Sequence, residues 1–214
     1  MTLLHIILLS WEFPPRVVGG LSLEIEKLAV ELAKLGCELD IVTYHDSLTS
    51  TETRSEGFRV HRVTNAVQTH TNIVTWALAL NTAFQRVAAD IALQSTGEQK
   101  LVHASEWLCV PAAIQLKKTI GVPYVLSLDS IEAQRSSGSV GPLTGAISYL
   151  EKEGCLEASK VLVTRKSTAE ILQKLYSVPK HKVTIIDINK ERDVLNEYET
   201  ALQPKVARTD LKSE

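Results

Sequence analysis

Cysteine is scarce. The three present, Cys37, Cys109 and Cys155, are far apart and odd in number. No CxxC pair and no Cys/His cluster exists, so neither a disulfide framework nor a metal site is expected. The thiols read as buried or half-buried groups in a reducing compartment. Long apolar runs are missing too: no stretch approaches the roughly 18 consecutive apolar residues of a membrane helix. The run Leu3–Leu9 is short and interrupted by His5. It carries no basic leader and no small-residue cleavage site, so it does not read as a signal peptide. A cytoplasmic protein with no integral membrane segment is expected. A dominant charge is also absent. The 23 Lys and Arg against 25 Asp and Glu leave a net charge of -2. That balance excludes nucleic-acid binding driven by bulk charge. No internal repeat or low-complexity stretch stands out.

What remains is an ordinary globular composition, 44% hydrophobic over 214 residues. A chain of this size buries a core without staples. Short apolar runs alternate with longer helical ones. Leu3–Ser10 is nearly continuously apolar, as in a strand buried on both faces of a parallel sheet. Leu21, Ile25, Leu28, Leu32 and Leu35 form a helical stripe that stops at Gly36. Glu38–Tyr44 is the next strand, completing a βαβ unit. The polar segment 47–56 reads as a loop and 58–63 as a strand. A helix is expected over about 71–93, with Trp76, Leu80, Phe84 and Val87 on one side. Strands at 101–104 and 124–128 bracket a helix over 108–120 that ends at Gly121. Segment 136–145, rich in Gly and Ser, reads as a flexible loop. A helix over 146–158 and a strand at 160–164 follow. Ser167 and Glu170 suggest a capping box opening the next helix. A last strand at 182–186 precedes a helix over 190–202 with Val194, Tyr198 and Ala201 on one stripe.

This alternation implies an α/β class: a single doubly wound, Rossmann-like domain with a mostly parallel sheet. The domain is expected over 1–189, with the helix 190–202 packed on it and a polar tail over 203–214. Such sheets bind ligands outside the carboxyl ends of their strands. The loops after Ser10, Tyr44, His103, Leu128 and Thr164 are therefore where function is sought. After Ser10 comes Trp11-Glu12-Phe13-Pro14-Pro15-Arg16, then Gly19-Gly20 at a helix start. Paired glycines let backbone approach a ligand, and a helix N-terminus offers free N–H groups for an anion. Arg16 adds charge. A tight turn that merely needs glycine is the competing reading. Neither G-x-G-x-x-G nor a P-loop lysine is present.

These residues resemble the amino-terminal half of retaining family-four glycosyltransferases, which include glycogen synthases and sucrose synthase-like enzymes. The likeness runs through Gly36–Thr43, Val102-His103-Ala104-Ser105-Glu106-Trp107, Gly121–Leu128, Lys160–Thr164 and Tyr176–Ile186, so it covers about residues 1–187. It implies one half of a GT-B architecture, in which two Rossmann-like domains face each other across a cleft. The N-terminal one mainly holds the acceptor. The resemblance implies that Gly19 and Gly20 lie in the cleft. It implies substrate-side roles for Arg16, His103, Glu106, Asp129 and Arg135. Trp107 either packs under the loop or stacks on sugar. Arg135 and Arg165 are either anion contacts or surface residues. His45, His61, His70 and His181 are scattered and read as incidental.

Three departures stand out. Where the family has a second histidine at the reaction centre, this chain has Ser105, which has no cationic form. Where the family has a His-Ser pair, it has Asp129-Ser130. Where the family crosses to its second domain, it has Asp187-Ile188-Asn189 and one further helix. The family's glutamate pair belongs to that second domain, and the similar spacing of Glu191 and Glu199 reads as coincidence. No catalytic residue is assigned. The expectation is a transferase half that is inactive alone, with a nucleotide sugar as substrate and no cofactor. Its partners would be a sugar acceptor and a separate donor-domain chain or a further copy. The alternative is a silent sugar- or nucleotide-binding module, or a truncated paralogue.

Overall fold

The computed structural model describes residues 4–67, 72–95, 99–187 and 190–203. Eight strands form one sheet: β1 (Leu4–Ser10), β2 (Glu38–Tyr44), β3 (Ser50–Thr53), β4 (Arg59–Val63), β5 (Gln99–Ser105), β6 (Tyr124–Leu128), β7 (Lys160–Val163) and β8 (Val183–Ile185). Their order is β3-β4-β2-β1-β5-β6-β7-β8. All pairs are parallel except β3 with β4. The helices are α1 (Leu21–Lys34), α2 (Ile73–Gln94), α3 (Val110–Ile120), α4 (Glu132–Arg135), α5 (Pro142–Glu157), α6 (Lys166–Leu175) and α7 (Glu191–Leu202).

Both faces of the sheet are covered, which is why its central strands read as continuous apolar runs. Ile7, Leu9, Val102 and Leu126 pack beneath α2, α3, α5 and α6. Ile6, Leu8, Leu101, Val125 and Leu162 pack beneath α1 and α7. The α1 stripe is buried at Ile25, Leu28 and Leu32. Gly36 (φ +89°) and Gly121 (φ +75°) end their helices in the left-handed conformation that glycine adopts freely.

Four local expectations change. Segment 47–56 contains β3, whose S-T-E-T sequence offers no apolar alternation. It is held by pairing with β4 and by Glu52 on Arg62. Helix α5 begins at Pro142, not 146, so part of the expected Gly/Ser loop is helical. Pro142 fits the first turn, and the Thr144 hydroxyl closes it against Gly141 N at 2.8 Å and O at 2.9 Å. The Ser167 capping box does not form: Arg165 is the N-cap residue and Ser167 lies inside α6. Helix α4 lies where no element was expected. Asn72 caps α2, accepting from Thr75 N at 2.8 Å. The expected strand start at Leu3, the helix start at Thr71, His70, Ile188-Asn189 and the tail from 204 lie outside the described residues.

Gly154 sits where α5 touches α3 and β6. A Cβ there would lie 2.6 Å from Val110 Cγ2 and 3.1 Å from Leu126 Cδ2. Gly154→Ala is expected to lower the thermal midpoint, because overpacking at about 1–3 kcal/mol outweighs a helix-propensity gain of about 1 kcal/mol. A thermal melt checks it, and a raised midpoint would refute it.

Candidate functional site

From β1 the sheet grows outward through β2 and β4, and from β5 through β6, β7 and β8. The loops leaving Ser10 and Ser105 therefore diverge, and the crevice between them is the topological switch point where doubly wound sheets take ligands.

The β1–α1 loop is braced from within. Glu12 is 2% exposed. Its Oε2 accepts from Val18 N at 2.7 Å and Gly19 N at 2.9 Å. The Ser10 hydroxyl donates to Glu12 O at 2.7 Å, and Arg62 donates to Pro14 O at 3.0 Å. The expected anion cradle at Gly19 thus already holds the chain's own carboxylate. Nor does the turn demand glycine: Gly20 has φ −66°, and a Cβ on Gly19 would meet Glu12 Oε1 at 3.6 Å, an ordinary contact. Arg16 stacks on Trp11 and Tyr44, at 5.2 and 4.8 Å from their ring centres, and donates to Asp46 at 3.2 Å. Its Nε is thus engaged, while its Nη1 is buried without a partner among the described residues. Nothing in the local spacing of Glu12 marks it as the partner of amides six and seven residues on.

Glu106 is the most unusual residue of the crevice. It follows β5 with φ +67°, a conformation that strains a non-glycine residue and that concentrates at functional sites. Its Oε1 accepts from Asp129 N at 2.8 Å. Burial pushes its carboxyl up to about 7, and the Asp129 and Glu151 charges add to the rise against Arg135. A carboxyl so poised in a cleft marks a candidate site. Glu24 of α1 faces the same cleft, raised by burial and then by the charges of Asp129 and Asp187. With Leu21, Ser127, Thr164 and apolar residues of β6 and β7 the two glutamates line a cavity of about 30 Å³. That holds about two waters, so it is the floor of a site rather than a closed pocket.

The other expected residues are placed as follows. His103 is fully buried beneath α7. Its Nδ1 lies 2.7 Å from the Tyr198 hydroxyl and its Nε2 2.9 Å from the Ser127 hydroxyl. Burial holds it down at about 4. It is part of the core and does not line the crevice. Ser105 is also fully buried, and its hydroxyl has no partner among the described residues. Trp107 is 6% exposed and packs in the core, not open to a sugar. Asp129 accepts from Thr164 Oγ1 at 2.8 Å and Arg165 Nη2 at 2.8 Å. These two candidates meet each other at the crevice edge. Arg135 donates to Ser130 O at 2.7 Å, to Glu132 and to the fully buried Glu151. It therefore neutralises internal carboxylates. His45 Nδ1 accepts from Leu48 N at 3.1 Å within its own turn. His61 is not incidental: its Nε2 lies 2.6 Å from Asp40. His181 is exposed.

This architecture is one half of a GT-B glycosyltransferase. Sucrose-phosphate synthase from Thermosynechococcus elongatus superposes with a TM-score of 0.71 at 19% identity, over 85% of this chain and 47% of that chain. At that identity the likeness concerns the fold. The model of the glycosyl transferase 4-like domain matches residues 19–188, and the chain belongs to that family. An uncharacterized glycosyltransferase of Methanocaldococcus jannaschii is 28% identical over 183 residues, which are 86% of this chain and 45% of that protein. A glycogen synthase of Mycobacterium tuberculosis is 28% identical over 198 residues, 86% of this chain and 47% of that protein. The chain thus spans about half the length of the curated relatives it matches. Among the described residues no helix is long and apolar enough to cross a membrane.

Proposed function

We propose that this chain forms the acceptor-side wall of a sugar-transfer site, completed by a second Rossmann-like domain that binds the nucleotide sugar. The strained, half-buried Glu106 at the switch point of a domain half as long as its glycosyltransferase relatives carries this reading. The completing domain is the remainder of a longer protein, a separate chain or a further copy. The acceptor is a hydroxylated molecule such as a glycan, and the nucleotide sugar is substrate, with no cofactor. We place the protein in the cytoplasm on its three unpaired cysteines. Positioning between two walls contributes roughly 7–11 kcal/mol in well-oriented reactions. Half a cleft lacks it, so the chain alone transfers no sugar. The purified chain is assayed with nucleotide sugars and a glycan, with and without a relative's donor domain. Product is expected only in the complemented mixture, and turnover by the chain alone would overturn the proposal.

The buried, unpartnered hydroxyl at Ser105 favours a second reading, a silent binding module. If Ser105→His yields product in the complemented mixture and the natural chain does not, that reading wins.

A further inference from the structure

A second cavity, of about 390 Å³, opens at the opposite, amino-terminal end of strands β1, β2 and β4, beneath the C-terminal end of α2. Five residues of β1 at 3.3 Å each put it about 17 Å from the crevice. Its floor is His5 and Asp40, both fully buried, and its rim is Glu38, Arg59 and Gln94.

Asp40 organises the site. Its Oδ1 accepts from Arg59 Nε at 2.6 Å and lies 2.6 Å from His61 Nε2. Its Oδ2 accepts from Arg59 Nη2 at 2.6 Å and lies 2.7 Å from His5 Nε2. Arg59 Nη2 also reaches Glu38 Oε1 at 2.9 Å. The far ring nitrogens are engaged too, His5 with Ser95 at 2.8 Å and His61 with Thr51 at 3.0 Å. Asp40 is therefore saturated and acts as a scaffold that fixes its neighbours. Glu38 Oε2, Arg59 Nη1 and the Gln94 amide enter no hydrogen bond among the described residues. They point to what the cavity takes.

Charge decides the ligand class. An anion would face Glu38 and Asp40. A divalent cation finds atoms of His5, Glu38 and Asp40 within 4.8 Å of one another, but Arg59 Nη2 already bridges the two carboxylates, and the cation would have to expel it. A neutral molecule with neighbouring hydroxyls displaces nothing. Glu38 Oε2 can accept from one hydroxyl, Arg59 Nη1 can donate to the next, and the Gln94 amide can do both. The cavity volume falls within the range of small-molecule sites. We propose that this cavity binds a neutral polyhydroxylated ligand of the saccharide class, as a site separate from the crevice.

The test titrates the isotopically labelled full chain with glucose and with maltotriose, and separately with zinc and inorganic phosphate. Saturable amide shifts are expected at Glu38, Arg59 and Gln94, with Glu106 and Ser127 unmoved. Gln94→Ala, on the exposed rim, is expected to weaken binding about tenfold, one hydrogen bond's worth, with the thermal midpoint unchanged. Arg59→Ala is expected to abolish binding. The proposal is overturned if neither saccharide gives saturable shifts, if the shifts fall only on crevice residues, or if Gln94→Ala binds as tightly as the natural chain. It also falls if the saccharides fail while phosphate, or zinc after Arg59→Ala, binds.

Discussion

Tyr198→Ala is expected to lower stability by about 3–5 kcal/mol, the range for truncating a buried aromatic residue. For a chain of this length each kcal/mol is about 2–4 °C in the thermal midpoint. The reason lies in how the sheet is covered. Helices α3, α5 and α6 cross on the face they share with α2. On the other face α7 lies against β5, β6 and β7, over Leu101, Val125 and Leu162. Val194 and Tyr198 are its fully buried residues. The Tyr198 ring lies 5.5 Å from the ring of His103, with its hydroxyl 2.7 Å from Nδ1. Tyr198→Phe keeps the packing and loses only that hydrogen bond, for about 1 kcal/mol. Thermal melts of the two variants separate the contributions. Should alanine prove no worse than phenylalanine, α7 does not hold this face closed.

The parts of this fold legible in the sequence are those with a local cause. A strand buried on both faces is apolar throughout, so β1, β2 and β6 declare themselves, and a stripe ending in glycine marks α1 and α3. Strand β3 is invisible because S-T-E-T is held by its neighbour, not by burial of its own side chains. The same distinction divides the sites. Glu106 is reached through the family resemblance, but its positive φ and raised carboxyl depend on its surroundings in the assembled domain. Asp40, His5 and His61 stand 35 and 21 residues apart from one another in the chain. The register that sets His5 beside Glu38 and Asp40 beside Arg59 brings them together. His103 alternates along a strand with Val102 and Ala104, and both of its faces are covered. Resemblance puts it on the substrate side, whereas the assembled sheet buries it completely in the core.

Asp40→Asn is expected to destabilise the chain by about 3 kcal/mol near neutral pH. Breaking a buried ion pair by removing one partner commonly costs about 3–5 kcal/mol, and the lower end applies because Arg59 is half exposed and recovers water. His5 does not, being buried with its Nε2 aimed at the lost carboxylate. Burial by itself would raise the Asp40 carboxyl. Hydrogen bonds from Arg59, His5 and His61, with the Arg59 charge, more than reverse this and hold it far below its ordinary value of 3.8. The pH dependence follows from that direction. In the unfolded chain Asp40 takes up a proton as pH falls through about 3.8, while in the folded chain it stays ionised. Its contribution is therefore complete above pH 4 and lost as acid is added below it. Denaturant melts of both proteins at pH 7 and pH 3 should show the gap narrowing at the lower pH. A gap that stays constant or widens in acid would mean that the carboxylate charge does not hold this network together.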